Sequence, residues 1–182
     1  HILWRGVTTG TRPDPSTPVD QIARVQLCLL AKAIPQADMK IVSLVQSRNP
    51  ETDQKILDEA GIMAEKRLPV MAWAEHKFAI DIDGNTNSFN TMLHRQTLGC
   101  CVLKVKSPGN WRQWFYDDIK PWEHFVPVKS DLSDLAEIIA WCRAHDDECR
   151  KIAEHGRAFA NSLDFEAECK SAIERINAAF AP

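Results

Sequence analysis

No stretch of the 182-residue sequence holds the ~18 consecutive apolar residues of a membrane-spanning helix, and no secretory leader is visible. The opening His1-Ile2-Leu3-Trp4-Arg5-Gly6 has no initiator Met and reads as the interior of a longer protein, cut just before a strand. Missing targeting signals therefore exclude little about the parent. Surplus positive charge is also missing. The 22 Lys and Arg face 25 Asp and Glu, a net charge of −3, which disfavours a general nucleic-acid or anionic-membrane binder. The six cysteines (28, 100, 101, 142, 149 and 169) contain no Cys-x-x-Cys pair. Zinc sites need close ligand pairs, so buried free thiols in a reducing compartment are the better reading. There is no internal repeat, no low-complexity segment and no Gly-Lys-Ser/Thr ending of a P-loop. What is present is ordinary: 45% hydrophobic and 26% charged residues, enough for one domain with a real core.

Periodicity orders the chain. Residues 2–4 are an apolar strand running into a polar loop, Arg5-Gly6-Val7-Thr8-Thr9-Gly10-Thr11-Arg12, which prolines 13, 15 and 18 extend. Ile22, Val25 and Leu29 recur at helical spacing until Pro35. Residues 40–45 are a β-branched strand. Asn49-Pro50 starts a helix that Gly61 stops. Residues 69–76 read as a short helix. Phe78–Ile82 is a buried strand ending at Asp83-Gly84, Ser88 caps a helix over 89–98, Gly99 closes it, and Cys100–Val105 is the next strand. Six aromatics crowd into residues 111–125, and clustered aromatics more often pack a core than bind ligand. Pro121 and Pro127 stiffen an extended connection. From Asp131, read as a cap, three helical stripes follow, built on Leu132 to Cys142, Cys149 to Leu163 and Phe165 to Phe180. Alternating strands and helices predict an α/β fold: a Rossmann-like parallel sheet with helices on both faces, plus C-terminal helices over 131–182.

In such sheets ligands bind beyond the carboxyl ends of the strands. Two polar loops lie there. The first offers Arg5, Gly6, Thr8, Thr9 and Arg12, a set suited to phosphate or to a plain exposed loop. The second, Asp81-Ile82-Asp83-Gly84-Asn85-Thr86-Asn87-Ser88, leaves three readings open. Asp81 and Asp83 share a strand face and suit a divalent metal on a nucleotide diphosphate. The same Asp-x-Asp-Gly-x-Thr run resembles the opening motif of haloacid-dehalogenase-type phosphatases, with a nucleophile and an acid/base. That reading needs a Lys at a strand end, and Lys104 sits inside one. In the third reading, Asp83 and Gly84 shape a turn, and Asn85, Thr86, Asn87 and Ser88 face a nucleotide sugar at a helix start. A hydrogen-bonded Asx turn is the purely structural version of that loop. Five histidines (76, 94, 124, 145 and 155) are scattered without a triad partner. His94 and Arg95 alone follow the second loop on its helix.

The run Lys77–Ser88 resembles the central motif of glycosyltransferase family 90, the capsule-associated or protein O-glucosyltransferase-like family, including its bacterial lipopolysaccharide-modifying branch. Leu98–Lys104, Trp114-Phe115-Tyr116, Lys120–Val128 and Asp131–Leu135 are similar to its next blocks, and Trp4-Arg5-Gly6 to an upstream Arg-Gly motif. The resemblance covers, with gaps, residues 3 to 165. It implies that residues 1–182 are one nucleotide-sugar-binding domain, the C-terminal donor half of a GT-B-like enzyme. That enzyme would perform inverting, metal-independent transfer from a UDP-sugar to a glycan or lipopolysaccharide acceptor. It would use no cofactor and would be cytoplasmic, at the inner face of the bacterial membrane. Arg5, and less directly Arg12, would contact phosphate, and residues 83–88 the sugar or diphosphate. Where related enzymes carry a phosphate-binding Arg after Ser and an aromatic, this chain has Asn90, leaving Arg95 or His94 as substitutes. The catalytic base is expected in an N-terminal half outside this sequence.

Overall fold

The computed structural model describes residues 1–10, 14 and 17–180. Five strands form one sheet: β1 (Ile2–Val7), β2 (Ala37–Ser43), β3 (Phe78–Asp81), β4 (Cys101–Val105) and β5 (Val126–Val128). Their order is β2-β1-β3-β4-β5, and every pairing is parallel. Order therefore reverses between β1 and β3, the doubly wound switch point where a crevice opens beyond the carboxyl ends.

Helices α1 (Ala23–Ala31), α2 (Pro50–Glu59), α3 (Thr91–Thr97), α4 (Leu135–Ala144), α5 (Asp146–Ser162) and α6 (Phe165–Ala179) complete the described fold, with a 3-10 turn at Val70–Glu75. Strand alternation sends side chains to both faces. Ile2, Trp4, Ile80 and Leu103 join the large core cluster with residues of α1, α4 and α5. Leu3 and Ala79 cluster with Trp73, and Val102 with Met92 and Phe115, on the other face. Gly156 lets α5 come close to α3: a Cβ there would lie 2.8 Å from Gln96 Nε2 and from the His124 carbonyl.

Five expectations change. The strand read over residues 2–4 continues to Val7, so Arg5, Gly6 and Val7 belong to β1 and not to the loop. Helix α3 starts at Thr91, because Ser88 bonds Asp81 instead of capping, and Asn90 holds the cap position without a side-chain cap bond. Asp134, not Asp131, precedes α4; Asp131 closes a turn onto Ser133. The stretch holding Pro127 is a fifth strand, tolerated because β5 is an edge strand and proline lacks only a donor. The third helical stripe buries nothing: α6 has no buried residue. Five of the six cysteines are buried and none is paired. Burial pushes the Cys28 thiol up to about 12 and the Cys100 thiol up to about 11, as expected of inert core thiols.

Candidate functional site

Three segments meet beyond the carboxyl ends of the strands: residues 8–10 after β1, 82–90 after β3 and 106–116 after β4. What joins them is a buried set of charges. Lys104 Nζ lies 2.8 Å from Asp81 Oδ2 and 3.0 Å from Asp83 Oδ1, with both carboxylates and the lysine buried. Burial opposes the charge on Lys104, but Asp81, Tyr116 and Asp83 outweigh it and raise the amine's pKa. Ser88 Oγ donates to the other oxygen of Asp81. This tethers the far end of the loop to the strand it left.

Arg24, on α1, supplies the second cation. Its Nε donates to the Asp83 carbonyl at 3.0 Å and one terminal nitrogen to the Ile82 carbonyl at 3.1 Å. The other donates to Thr9 Oγ1 at 2.6 Å and, more weakly, to the Val7 carbonyl at 3.4 Å. Desolvation lowers the Arg24 pKa, while Asp81 and Asp83 act to raise it. Two cations and two anions thus balance beneath the switch point, and one guanidinium locks the end of β1 to the end of β3. Buried charges persist only when so paired.

Above this layer the loop is polar. Asn85 Oδ1 accepts from the Gly10 amide at 3.1 Å. Asn87 donates to the Arg112 carbonyl at 3.2 Å and accepts from Gln113 Nε2 at 2.9 Å. Asn85 and Thr86 are exposed. Gly84 fits under them because a Cβ would come within 2.6 Å of Thr9 Oγ1 and 3.1 Å of the Arg24 guanidinium. Beside the loop, over the ends of β4 and β5, lies a cavity of about 330 Å³, lined among others by Lys104, Lys106, Trp111, Arg112 and Tyr116. Cations and aromatic rings together suit a phosphorylated ring compound.

The sequence-selected residues divide. Thr9, Asp83, Gly84, Asn85, Thr86, Asn87, Ser88 and Asn90 come together on this edge. Arg5 does not join them. Its guanidinium bonds the Asp38 carboxylate at 2.6 Å and the Trp4 and Asp38 carbonyls at 2.9 Å. Asp38 pairs with Leu3, so the side chain turns toward the amino end of the sheet. Gly6 lies against the Trp4 ring. Thr8 donates to the Val45 carbonyl at 2.9 Å and accepts its amide at 2.8 Å. These three hold the sheet together. Arg12 lies outside the described residues. His94 faces Asn90 at 3.1 Å, and Arg95 stacks on Trp73 at 3.5 Å, with its pKa lowered by burial, against which Cys100 and Asp81 act.

Sequence reasoning missed Arg24; it placed Lys104 inside a strand, where it stands, but missed its pairing with Asp81 and Asp83. A lysine within the buried run Cys101–Val105 was itself a signal, since it needs a carboxylate, and Asp81 in β3 and Asp83 just after it supply two. The same contacts bear on the open readings of the Asp pair. Asp81 has a fully buried side chain held by Ser88 and Lys104. A nucleophile must be reachable, so the phosphatase reading fails here.

The family model for glycosyl transferase family 90 matches residues 23–167. Human protein O-glucosyltransferase 1 is 30% identical over 156 residues, 86% of this chain and 35% of that protein. Protein 179R of Invertebrate iridescent virus 6 is 39% identical over 120 residues, 58% of this chain and 10% of that protein. Among solved structures, Anabaena Alr3699/HepE in complex with UDP-glucose matches 97% of this chain and 48% of its own, with TM-score 0.63 and 15% identity, a likeness of fold. The chain thus spans from about a tenth to about half of these proteins. By the family model, which covers most of its length, the chain belongs to glycosyl transferase family 90.

Proposed function

We propose that this chain forms the donor-binding part of a UDP-sugar-dependent glycosyltransferase with a GT-B-like architecture, which transfers sugar with inversion to a surface polysaccharide or lipopolysaccharide acceptor. The observation that carries this reading is the carboxyl edge of the sheet. There Asn87 of the exposed loop donates to the Arg112 carbonyl, which ties the loop to the segment that lines the cavity with Lys106, Trp111 and Tyr116. The cations meet the diphosphate, the rings flank the nucleoside, and the 83–88 loop meets the sugar. The solved UDP-glucose complex of Alr3699/HepE and the protein O-glucosyltransferase names of the relatives support a UDP-sugar as the ligand class.

The donor charge is met by protein cations, with no metal or cofactor. Both carboxylates face Lys104, and Arg24 bonds the Asp83 and Ile82 carbonyls beside them, so in this reading the carboxylates shape the loop and hold no ion. Titration calorimetry on the full chain tests this. UDP binds at least tenfold tighter than uridine, excess EDTA leaves the affinity unchanged, and Lys106→Ala removes most of the preference for UDP. Absence of UDP binding, or its loss in EDTA, overturns the reading.

A further inference from the structure

Next to the 83–90 loop, a second hollow of about 500 Å³ is lined by Phe89, Asn90, Leu93, Gln113, Trp114 and Phe115. None of these residues is charged. Phe89 is 76% exposed and Trp114 48%, although large rings usually bury themselves. Phe89 also holds a left-handed backbone, φ 54°, which an L side chain adopts only under constraint. The constraint is visible. Gln113 Nε2 donates to the Phe89 carbonyl at 2.9 Å and to Asn87 Oδ1 at 2.9 Å. Trp114 is braced edge-on against buried Phe115, with ring centroids 5.3 Å apart. Both exposed rings are therefore held in place at a surface, and contiguous exposed apolar area of this kind marks a binding site.

We propose that this hollow is a saccharide subsite for the acceptor, taking a neutral pyranose ring. Three features select that occupant. The rings of Phe89 and Trp114 present flat apolar surface to the C–H face of a sugar, and the amides of Asn90 and Gln113 offer donors and acceptors to its hydroxyls. Absence of charge in the lining disfavours a phosphate, an anionic lipid headgroup or a basic peptide. The volume suits a ligand of one or two sugar rings. The position supplies the function: Phe89 continues the loop assigned above to the donor sugar, so an acceptor ring here lies beside the transferred group. This placement rests on the donor reading of that loop; the saccharide binding itself does not.

Saturation-transfer NMR with methyl α- and β-D-glucopyranoside and cellobiose on the full chain tests the subsite, with UDP calorimetry on the same samples. Saturation reaches the ring C–H protons of at least one probe. It falls at least fivefold in Phe89→Ala and in Trp114→Ala, while Trp114→Phe retains most of it and UDP affinity stays within twofold in all three. No transfer to any probe overturns the proposal, as does transfer that persists unchanged in both alanine variants. Glucoside binding by a chain that does not bind UDP upholds the subsite and removes the donor reading instead.

Discussion

The stretches 5–10 and 81–88 look alike in sequence: each follows an apolar run, and each carries charge beside glycine. Folded, they part. In the first, the charged residue turns back to Asp38 and the hydroxyl of Thr8 stitches the chain to Val45. In the second, the charges sink beneath the surface and neutralise one another, leaving uncharged Asn and Thr side chains outside. Charge in a loop motif does not identify the group that meets a ligand. In this fold the ions build the platform and neutral groups stand on it, because a low-dielectric interior makes a paired charge an effective fixed anchor and an unpaired one very costly.

The hardest test of that contrast is Lys104→Met. It leaves Asp81 and Asp83 with Arg24 as their remaining close cation, and urea unfolding at neutral pH should show a loss of about 3–5 kcal/mol. The pH dependence has a definite sign. The folded pKa of Lys104 lies above its unfolded value of about 10.4, so its contribution is complete below that pH. It declines as pH rises through the folded value. The gap between wild type and variant should hold constant from pH 7 to 9 and narrow only in stronger base. Next in size is Arg24→Met, which unties β1 from β3. It should lower stability by about 2–3 kcal/mol and weaken UDP binding at least tenfold, measured by calorimetry at a temperature where the variant is folded. Smallest is Arg5→Ala. Its partner Asp38 is 45% exposed, so the pair contributes about 1 kcal/mol or less, and UDP affinity should stay within twofold. A tenfold loss of UDP affinity there would restore Arg5 to the donor site and erase the contrast between the loops.

Much of the frame was legible. Asn49-Pro50 and Gly61 bracket α2 because cap and stop chemistry is local, and Gly61 does hold φ +66°. Gly99 likewise ends α3, with φ +87°. Strands β3 and β4 stand where apolar runs put them, while β1 continues past its apolar start through Arg5 and Gly6 to Val7. The failures occur where a side chain chose a distant partner over a near one. Ser88 looks like a cap for the following helix, yet Asp81, seven residues earlier, holds its hydroxyl. Pro127 reads as part of a stiff connection, yet its stretch pairs with β4, because an edge strand accepts proline. The stripe in α6 has the spacing of a core face, yet nothing described packs on it, since periodicity shows that a face is apolar and not what covers it. The aromatic segment, expected to be core, divides: Phe115 is buried while Trp111, Trp114 and Trp122 stay about half exposed.

By itself, then, the sequence determined the alternation of strands and helices and the family, because each rests on residues near one another in the chain. Only the tertiary structure decided which charges those loops could use. Asp81, Asp83, Lys104 and Arg24 come from β3, β4, α1 and the turn after β3, and are separated by up to 80 positions. Their partnership depends on strand order at the switch point. Burial there forces every charge to find an opposite, and that requirement made two conspicuous aspartates into a foundation beneath an exposed, uncharged loop surface.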